Sequence, residues 1–261
     1  MLGISRATLH ANPSRVLTVA EQARYSSFIQ RRLANEPIQY IIGEQEFYSL
    51  ALRVTPAVLI PRPETEHLVE AVLLELDPAA PLRILDVGTG SGAIAIALAH
   101  HLPHAQITAT DIAPAALAVA AANAARHHLS ARIHFVESDL LDTLTAPDRQ
   151  EATFTRGARP ERYEVLVSNP PYIPTTDRET LHPQVRDHEP ATALFAGPDG
   201  LAIYRRLIPQ AHAALKSTGL LALEIGHGQR DDLARLLAGW NNVRFVDDLQ
   251  QIPRVALARK P

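Results

Sequence analysis

The stretch Arg83-Ile-Leu-Asp-Val-Gly-Thr-Gly-Ser-Gly92 decides the fold that this sequence predicts. Its first five residues form a nearly continuous apolar run, which is typical of a parallel strand covered by helices on both faces. The glycines let the backbone turn sharply and approach a ligand, and a helix predicted over Ser91–His101 directs its N-terminus at the ligand's polar end. The stretch indicates a bound nucleotide or nucleoside, although such turns also occur in dehydrogenases and as purely structural turns.

Beyond Pro81 the order of strand, turn and helix repeats along the chain. The last two predicted strands are joined by a short Gln-Gln-Ile-Pro link, too short for a crossover helix, so we expect them to pair antiparallel. The sequence therefore predicts an α/β fold with a doubly wound, seven-stranded sheet. The predicted strands are Arg83–Val87, Gln106–Thr110, Arg132–Glu137, Tyr163–Ser168, Leu220–Ile225, Val243–Asp247 and Val255–Arg259, and the helices after the first are Pro114–His127, Leu201–Leu215 and Gln229–Leu237.

The residues before this sheet predict a small, apparently shortened helical lobe (residues 1–37) and a β-hairpin linker (residues 38–55), ahead of the main domain (residues 56–261). In the lobe, helical spacing over Thr18–Ala34 follows a capping box of Thr18 and Glu21. Ile38–Val54 is rich in Tyr, Ile, Phe and Leu with Gly43-Glu44 inside it, which predicts the hairpin. We also expect a helix over Glu64–Leu76 and a polar surface loop over Thr145–Arg162.

The composition excludes several classes of function. The 261 residues contain no cysteine, so disulfides, thiolate metal sites and cysteine nucleophiles are excluded. No apolar stretch is long enough to cross a bilayer and the N-terminus lacks the apolar block of a signal peptide, so we expect a cytoplasmic protein without a membrane partner. The net charge of −3 argues against nonspecific electrostatic binding to duplex DNA. Histidines near predicted helix ends lack carboxylate partners at ligand spacing, so we predict no metal site.

Asp111 stands at the end of the second predicted strand, directly after Thr110 and about twenty residues after the glycine turn. A carboxylate there can accept both ribose hydroxyl hydrogens of an adenosine moiety. The alternative is that Asp111 caps the helix that starts at Pro114, and the two roles use different lone pairs. The spacing Gly88-Thr-Gly90-Ser-Gly92 differs from the G-x-G-x-x-G of dinucleotide sites, which favours a ligand without a pyrophosphate, such as S-adenosylmethionine.

Asn169-Pro170-Pro171-Tyr172 follows the fourth strand, at the edge of an open α/β sheet where ligands bind. The Asn169 side-chain oxygen and the Pro170 carbonyl can each accept one hydrogen of a planar NH₂ group. Holding both hydrogens directs the nitrogen lone pair at an electrophilic methyl without a strong base, and Tyr172 would pack on the flat group. A rigid proline turn is the alternative without function.

The tetrapeptide on this glycine-turn fold resembles the amino-methyltransferases, which modify adenine N6 or the glutamine amide. Two further stretches, Leu59–Glu66 and Glu189–Arg205, resemble the protein-glutamine N5-methyltransferases of bacterial peptide-release factors (the PrmC/HemK family). The resemblance runs from about Gly3 to the C-terminus and implies a Rossmann-like class I methyltransferase fold. It also implies a substrate-glutamine site at Asn169–Tyr172, with Asn169, Pro170 and Tyr172 catalytic, and an S-adenosylmethionine site formed by Gly88, Thr89, Gly90, Ser91, Gly92, Asp111, Leu140 and Asn169.

The function that this resemblance implies is methyl transfer to the glutamine of the Gly-Gly-Gln motif in release factors. We expect a monomer with release factors as protein substrate and no direct nucleic-acid partner. An adenine-N6 enzyme would need a target-recognition domain and a basic face, neither of which the sequence predicts. A glutamine methyltransferase of a ribosomal protein stays open as an alternative. A non-catalytic S-adenosylmethionine-binding module would leave the Asn169–Tyr172 segment unexplained.

Overall fold

Seven strands form one mixed sheet in the computed structural model, which describes residue 4 and residues 6–145 and 162–261. The strands are β3 (Arg83–Val87), β4 (Gln106–Asp111), β5 (Ile133–Glu137), β6 (Tyr163–Ser168), β7 (Leu215–Glu224), β8 (Asn241–Asp247) and β9 (Pro253–Arg259). They lie in the order β5-β4-β3-β6-β7-β9-β8, with the first five parallel and β9 antiparallel to both of its neighbours. The predicted doubly wound sheet and its antiparallel last pair are confirmed.

The chain direction across the sheet reverses at β3, because β4 pairs with one edge of it and β6 with the other. This is the topological switch point of the fold, where the loops after neighbouring strands part and leave a crevice. Both stretches that the sequence singled out, the turn after β3 and the segment after β6, begin at this point.

Helices cover both faces of the sheet because successive strand residues point to opposite sides. Ile84 faces a core with α4 (Pro63–Leu73) and α5 (Ala93–His101), whereas Leu85 faces a second core with α9 (Ala202–Ala214) and α10 (Arg230–Leu236). The four residues of β3 after Arg83 are all buried, and Asp86 is the one polar side chain among them. The other described helices beside the sheet are α6 (Pro114–Arg126), α7 (Asp142–Thr145) and α8 (Pro183–Arg186).

The N-terminal part contains a short α1 (Arg6–Ala11) and the predicted amphipathic helix, α2 (Val19–Leu33). Thr18 and Glu21 form the capping box that the sequence predicts. None of the residues of α2 is buried, and Val19 and Leu33 expose 85% and 71% of their surface. The apolar stripe of α2 is thus open to solvent in this chain.

The hairpin prediction was wrong over residues 38–43. Ile38–Ile42 forms a helix, α3, whose Tyr40 and Ile41 are buried, and Gly43 ends it in the left-handed conformation with φ of 83°. The hairpin is formed by β1 (Glu44–Phe47) and β2 (Leu50–Arg53) alone. Its turn is Tyr48-Ser49, where both φ angles are positive, as a two-residue hairpin turn of type I′ requires.

One strand boundary after this differs clearly from prediction. β7 begins at Leu215 rather than at Leu220, because Leu215 already pairs with Tyr163 before an irregularity in the register. The long loop after Asn169 contains α8 and two short 3₁₀ turns, Thr175–Thr180 and Ala191–Ala193. The predicted surface loop falls almost wholly on residues 146–161, which lie outside the described residues. None of the helices in the described ranges is long and apolar enough to span a membrane.

Candidate active site

A cavity of about 320 Å³ lies at the carboxyl ends of β3, β4 and β6. Seven of the residues that the sequence assigned to the site line it: Gly88, Gly90, Asp111, Leu140, Asn169, Pro170 and Pro171. Its other walls come from Ala57–Leu59, ahead of α4, and from the segment between Pro190 and Phe195. This volume suits a small-molecule ligand, since the pockets that bind such ligands have volumes of roughly 300 Å³ or more.

The glycine turn presents backbone to the cavity. Gly88 and Gly90 have φ of 74° and 55°, and a Cβ built on either would meet no atom within 4 Å. The neighbouring strand β4 holds the turn in place, since the backbone N–H groups of Gly88 and Thr89 both donate to its Thr110 carbonyl at 2.9 Å. A ligand can therefore approach this rigid backbone closely.

Thr89, Ser91 and Gly92 do not line the cavity. Thr89 and Ser91 are buried, and the Thr89 hydroxyl donates to Asp86 Oδ2 at 2.7 Å. Gly92 has φ of 83° and begins α5, where a Cβ would lie 3.2 Å from the Cβ of Ala120 in α6. These three residues shape the turn and the packing of its helix.

Asp111 is positioned by backbone groups on both of its oxygens. Oδ2 accepts from the Gly90 N–H and Oδ1 from the Ala113 N–H, each at 2.9 Å. The helix α6 has Ala113 as its N-cap, without a side-chain capping bond, so the alternative of Asp111 as the N-cap is wrong. Each carboxylate oxygen keeps a second lone pair that can accept a ligand hydroxyl.

Asp86 lies under the glycine turn and is fully buried. Burial is the main cause that raises its pKa to about 7, and the Thr89 hydrogen bond opposes it. Its Oδ1 has no hydrogen-bond partner among the described residues. Asp86 does not line the cavity. Because its carboxylate accepts the hydrogen bond from Thr89, it stabilises the conformation of the turn.

Asn169 is held by a residue that sequence reasoning missed. Its Nδ2 donates to Oγ1 of Thr65 at 3.1 Å, and Thr65 lies buried in the first turn of α4. The side-chain oxygen of Asn169 is thereby left as an acceptor at the cavity.

Tyr172 does not line the cavity, although the sequence assigned it to the substrate site. Its hydroxyl donates to Oε1 of Glu224 at 3.3 Å, and its ring packs against the second core. Glu224 lies at the end of β7 and is buried, with burial as the main cause that raises its pKa to about 7. Sequence reasoning missed Glu224, although a carboxylate in the apolar run Leu220–Ile225 was an available signal.

An ion pair joins the two segments that form the outer wall of the cavity. Arg62 binds the carboxylate of Glu189, whose side chain is only 1% exposed, and the same carboxylate accepts from the Ile60 N–H at 3.2 Å. Leu59 and Pro190, which adjoin Ile60 and Glu189 in the sequence, line the cavity. The ion pair thus ties the two wall segments together without lining the cavity itself.

Leu140 has a left-handed backbone with φ of 50°, which is strained for a branched residue. Its neighbour Asp139 pairs with Arg206 of α9 at 2.8 Å, and all three residues line the cavity. No group of three or more His, Asp or Glu side chains is arranged to hold a metal ion within residues 6–145 and 162–261.

Comparison with known proteins identifies the family of this chain. A family model described as the PrmC N-terminal domain matches residues 1–43, and one described as a methyltransferase domain matches residues 84–160. A release factor glutamine methyltransferase of Koribacter versatilis is 47% identical over 261 residues, covering all of this chain and 88% of the relative. One of Moorella thermoacetica is 46% identical over 98% of this chain and 86% of the relative. The chain belongs to the release factor glutamine methyltransferases.

The fold is shared more widely than the family. A 16S rRNA N2 methyltransferase of T. thermophilus, solved with AdoMet and guanosine, aligns with a TM-score of 0.59 over 84% of this chain and 50% of that one. Its identity to this chain is 18%, so the likeness concerns the class I methyltransferase fold alone. Together with the family match, it confirms the fold class and the S-adenosylmethionine-dependent methyltransferase family that the sequence predicted.

Proposed function

We propose that this chain transfers a methyl group from S-adenosylmethionine to the side-chain amide nitrogen of the glutamine in the Gly-Gly-Gln motif of peptide chain release factors. The observation that carries the proposal is the Asn169 amide, whose NH₂ group binds Thr65 so that its oxygen is left to accept at the cavity. The full-length relatives named as release factor glutamine methyltransferases support the substrate.

The residues at the cavity fit S-adenosylmethionine. Gly88 and Gly90 offer an open backbone surface, and Asp111 offers two carboxylate oxygens suited to a pair of ribose hydroxyls. Leu140 provides an apolar contact on the same wall. When bound, this cofactor supplies an electrophilic methyl group. Thr89, Ser91 and Gly92 would act indirectly, by holding the turn in shape.

The substrate amide would be oriented by two acceptors. The Asn169 side-chain oxygen takes one amide hydrogen and the Pro170 carbonyl takes the other. The lone pair of a planar amide is delocalised, and holding both hydrogens lets the nitrogen pyramidalise and direct that pair at the methyl group. The proton becomes acidic once the C–N bond has formed, so no strong general base is required.

Substrate choice requires contacts outside this pocket, because a glutamine side chain occurs in most proteins. We place such contacts on the N-terminal lobe (residues 1–37), which the hairpin linker (residues 38–55) joins to the methyltransferase domain (residues 56–261). The match of residues 1–43 to the PrmC N-terminal domain and the exposed apolar stripe of α2 support this division. We propose a cytoplasmic monomer without a direct nucleic-acid partner.

The test is methyl transfer from labelled cofactor into purified release factor, ribosomal proteins and DNA in parallel. We expect label in the release factor alone, at the glutamine of its Gly-Gly-Gln motif. Asn169→Ala should lower the rate by about 10²–10³-fold, because it removes a preorganised acceptor. Asn241→Ala, at an exposed position on β8, is the matched control and should leave the rate unchanged. Label in ribosomal protein or DNA instead of release factor would refute the proposal.

A further inference from the structure

A strained turn directly after β5 forms one wall of the cavity. Its Leu140 has φ of 50°, in the left-handed region that branched residues rarely adopt. The turn is closed by the Asp142 N–H, which donates to the Asp139 carbonyl at 3.1 Å. Ser138, Asp139 and Leu140 line the cavity, so the conformation of this turn determines the shape of that wall.

One side chain outside the cavity binds the turn twice. Gln210 lies in α9 and is half-buried, and its Oε1 accepts from the Leu141 N–H at 3.0 Å. Its Nε2 donates to Oδ1 of Asp142 at 2.9 Å. Gln210 therefore uses both ends of its amide on the two residues that follow Leu140, without lining the cavity.

We propose that Gln210 is a positioning residue that holds the Leu140 turn in its strained conformation and thereby shapes the cofactor side of the cavity. The inference rests on the cofactor site of the proposed function, in which Leu140 contacts S-adenosylmethionine. It does not depend on the identity of the methyl acceptor. Gln210 touches neither cofactor nor substrate in this arrangement, and it acts through the turn.

The bond to the Leu141 N–H opposes the strain in Leu140. If Leu140 relaxed to a negative φ, the chain beyond its Cα would rotate and turn the Leu141 N–H away from Gln210. A left-handed conformation of such a residue persists only where the surrounding structure over-determines it. The Leu141 side chain is fully buried and anchors the turn in the core, while Gln210 fixes the direction of the Leu141 N–H.

An ion pair on the same helix holds the turn less firmly. Arg206 lies one helical turn before Gln210 and binds Asp139 at 2.8 Å, with 45% and 42% of the two side chains exposed. Solvent screens such a pair, so it contributes little. The pair also joins side chains only, whereas Gln210 binds a backbone N–H and so constrains the backbone itself.

Isothermal titration calorimetry with S-adenosylhomocysteine tests the role of Gln210. We expect Gln210→Ala to weaken binding about tenfold, because the turn loses the bonds that hold it. With release factor as acceptor, the KM for S-adenosylmethionine should rise by a similar factor while kcat stays within about twofold of the wild type, since only binding is affected. Gln250→Ala, at an exposed position between β8 and β9, is the matched control and should bind like the wild type.

An exchange of partners tests whether the hydrogen bonds themselves matter. Gln210→Glu keeps an acceptor for the Leu141 N–H but places a second carboxylate against Asp142, so it should also weaken binding about tenfold. Adding Asp142→Asn supplies an NH₂ donor to the new carboxylate and should restore most of the affinity. Asp142→Asn alone keeps an oxygen that accepts from Gln210 and should bind like the wild type. If Gln210→Ala does not fold, as thermal unfolding would show, this exchange still decides the question.

A Leu140→Gly background tests the role of strain. Glycine adopts a positive φ without strain, so in this background Gln210→Ala should weaken binding by only about twofold. The inference is overturned by wild-type affinity in Gln210→Ala, by no recovery when Asp142→Asn is added to Gln210→Glu, or by equal losses in the two backgrounds. A wild-type protein that binds S-adenosylhomocysteine but does not methylate release factor would refute the proposed acceptor instead, and calorimetry would still decide the role of Gln210.

Discussion

At the scale of single residues, the cavity is built from side chains that backbone groups hold in place. Asp111 is the clearest case, because two backbone N–H groups fix its carboxylate while each oxygen keeps a lone pair for a ligand. A carboxylate that is positioned before a ligand arrives loses little entropy on binding it. The affinity for an adenosine-containing ligand should therefore depend on this one side chain.

Replacing Asp111 by alanine should weaken the binding of S-adenosylhomocysteine by tenfold or more. The reason is the loss of charge-assisted hydrogen bonds worth about 1.5–3 kcal/mol. Isothermal titration calorimetry measures the effect directly. Asp247→Ala removes the same charge at an exposed position on the edge strand β8 and serves as the control. Unchanged affinity in Asp111→Ala would remove Asp111 from the cofactor site.

At the scale of elements, one buried side chain attaches the hairpin to the main domain. Asn123 of α6 is fully buried, and its amide accepts from the Arg53 N–H at 2.7 Å and donates to the Arg53 carbonyl at 2.9 Å. The same Nδ2 donates to the Ser91 carbonyl in the glycine turn at 2.9 Å. Asn123 thus links the end of β2 to the turn that lines the cavity.

Asn123→Ala should destabilise the protein by about 2–3 kcal/mol, because it leaves buried backbone groups without partners. Urea unfolding followed by circular dichroism measures the loss. Asn12→Ala is the control, because the exposed Asn12 amide bonds, within the described residues, to the Thr8 carbonyl of the preceding helix α1 alone. A loss as small as that of Asn12→Ala would show that the hairpin is held by its apolar contacts alone.

The Asn-Pro-Pro-Tyr segment is supported from the side away from the cavity. Gln229 donates to the Tyr172 carbonyl at 3.0 Å and accepts from the Gly226 N–H at 2.9 Å. Gly200 packs against the same carbonyl so closely that a Cβ would lie 2.3 Å from it. The turn at Asp199-Gly200, just ahead of α9, therefore also braces the active-site segment.

Gly200→Ala should destabilise the protein more than Gly228→Ala and should also lower methyl transfer. Both glycines have positive φ, at 74° and 81°, so both variants incur backbone strain of about 1–2 kcal/mol. A Cβ at Gly228 meets nothing within 4 Å, so the difference between the variants reports the clash with the Tyr172 carbonyl and with the Gln229 amide that binds it. Thermal unfolding and the rate on release factor measure the two effects, and equal losses in both variants would contradict the bracing role.

Local sequence predicted those elements whose pattern has a single interpretation. The apolar run of β6 could only be a buried strand, and its bounds were predicted correctly. Gly43 was ambiguous, because a left-handed glycine ends a helix as well as it turns a hairpin. The partners of Asn169 and Tyr172 were beyond sequence reasoning, because Thr65 lies 104 residues from Asn169 and Glu224 lies 52 from Tyr172. Only the folded sheet brings them together.

At the scale of the whole molecule, two buried carboxylates at the same edge of the sheet should control stability against pH. Burial raises the pKa of Asp86 and of Glu224 to about 7, from ordinary values of 3.8 and 4.5. Between those values and pH 7 the folded protein holds protons that the unfolded chain has released. Stability therefore falls as the pH rises through this window, by at most about 1.4 kcal/mol per pH unit for each group.

Carboxylates with a lowered pKa act in a different range. The hydrogen bond from Arg259 lowers the pKa of Glu75, so the stability it contributes is present above about its ordinary value of 4.5 and is lost only as the pH falls further. Such ion pairs therefore determine how stability is lost as the pH falls below about 4.5. Asp86 and Glu224 determine how stability falls as the pH rises towards 7.

The melting temperature at pH 7.5 should therefore lie below that at pH 5.5, by roughly 4 °C or more given the usual conversion of free energy to Tm. Differential scanning fluorimetry across this range tests it, with the slope rather than the absolute Tm as the readout. Asp86→Asn and Glu224→Gln should each flatten the slope, because each removes one of the two protons that unfolding releases. Glu75→Gln, a matched carboxylate-to-amide change, should shift Tm without altering the slope between pH 5.5 and 7.5. A wild-type Tm that rises over this interval would show that neither buried carboxylate holds its proton near neutral pH.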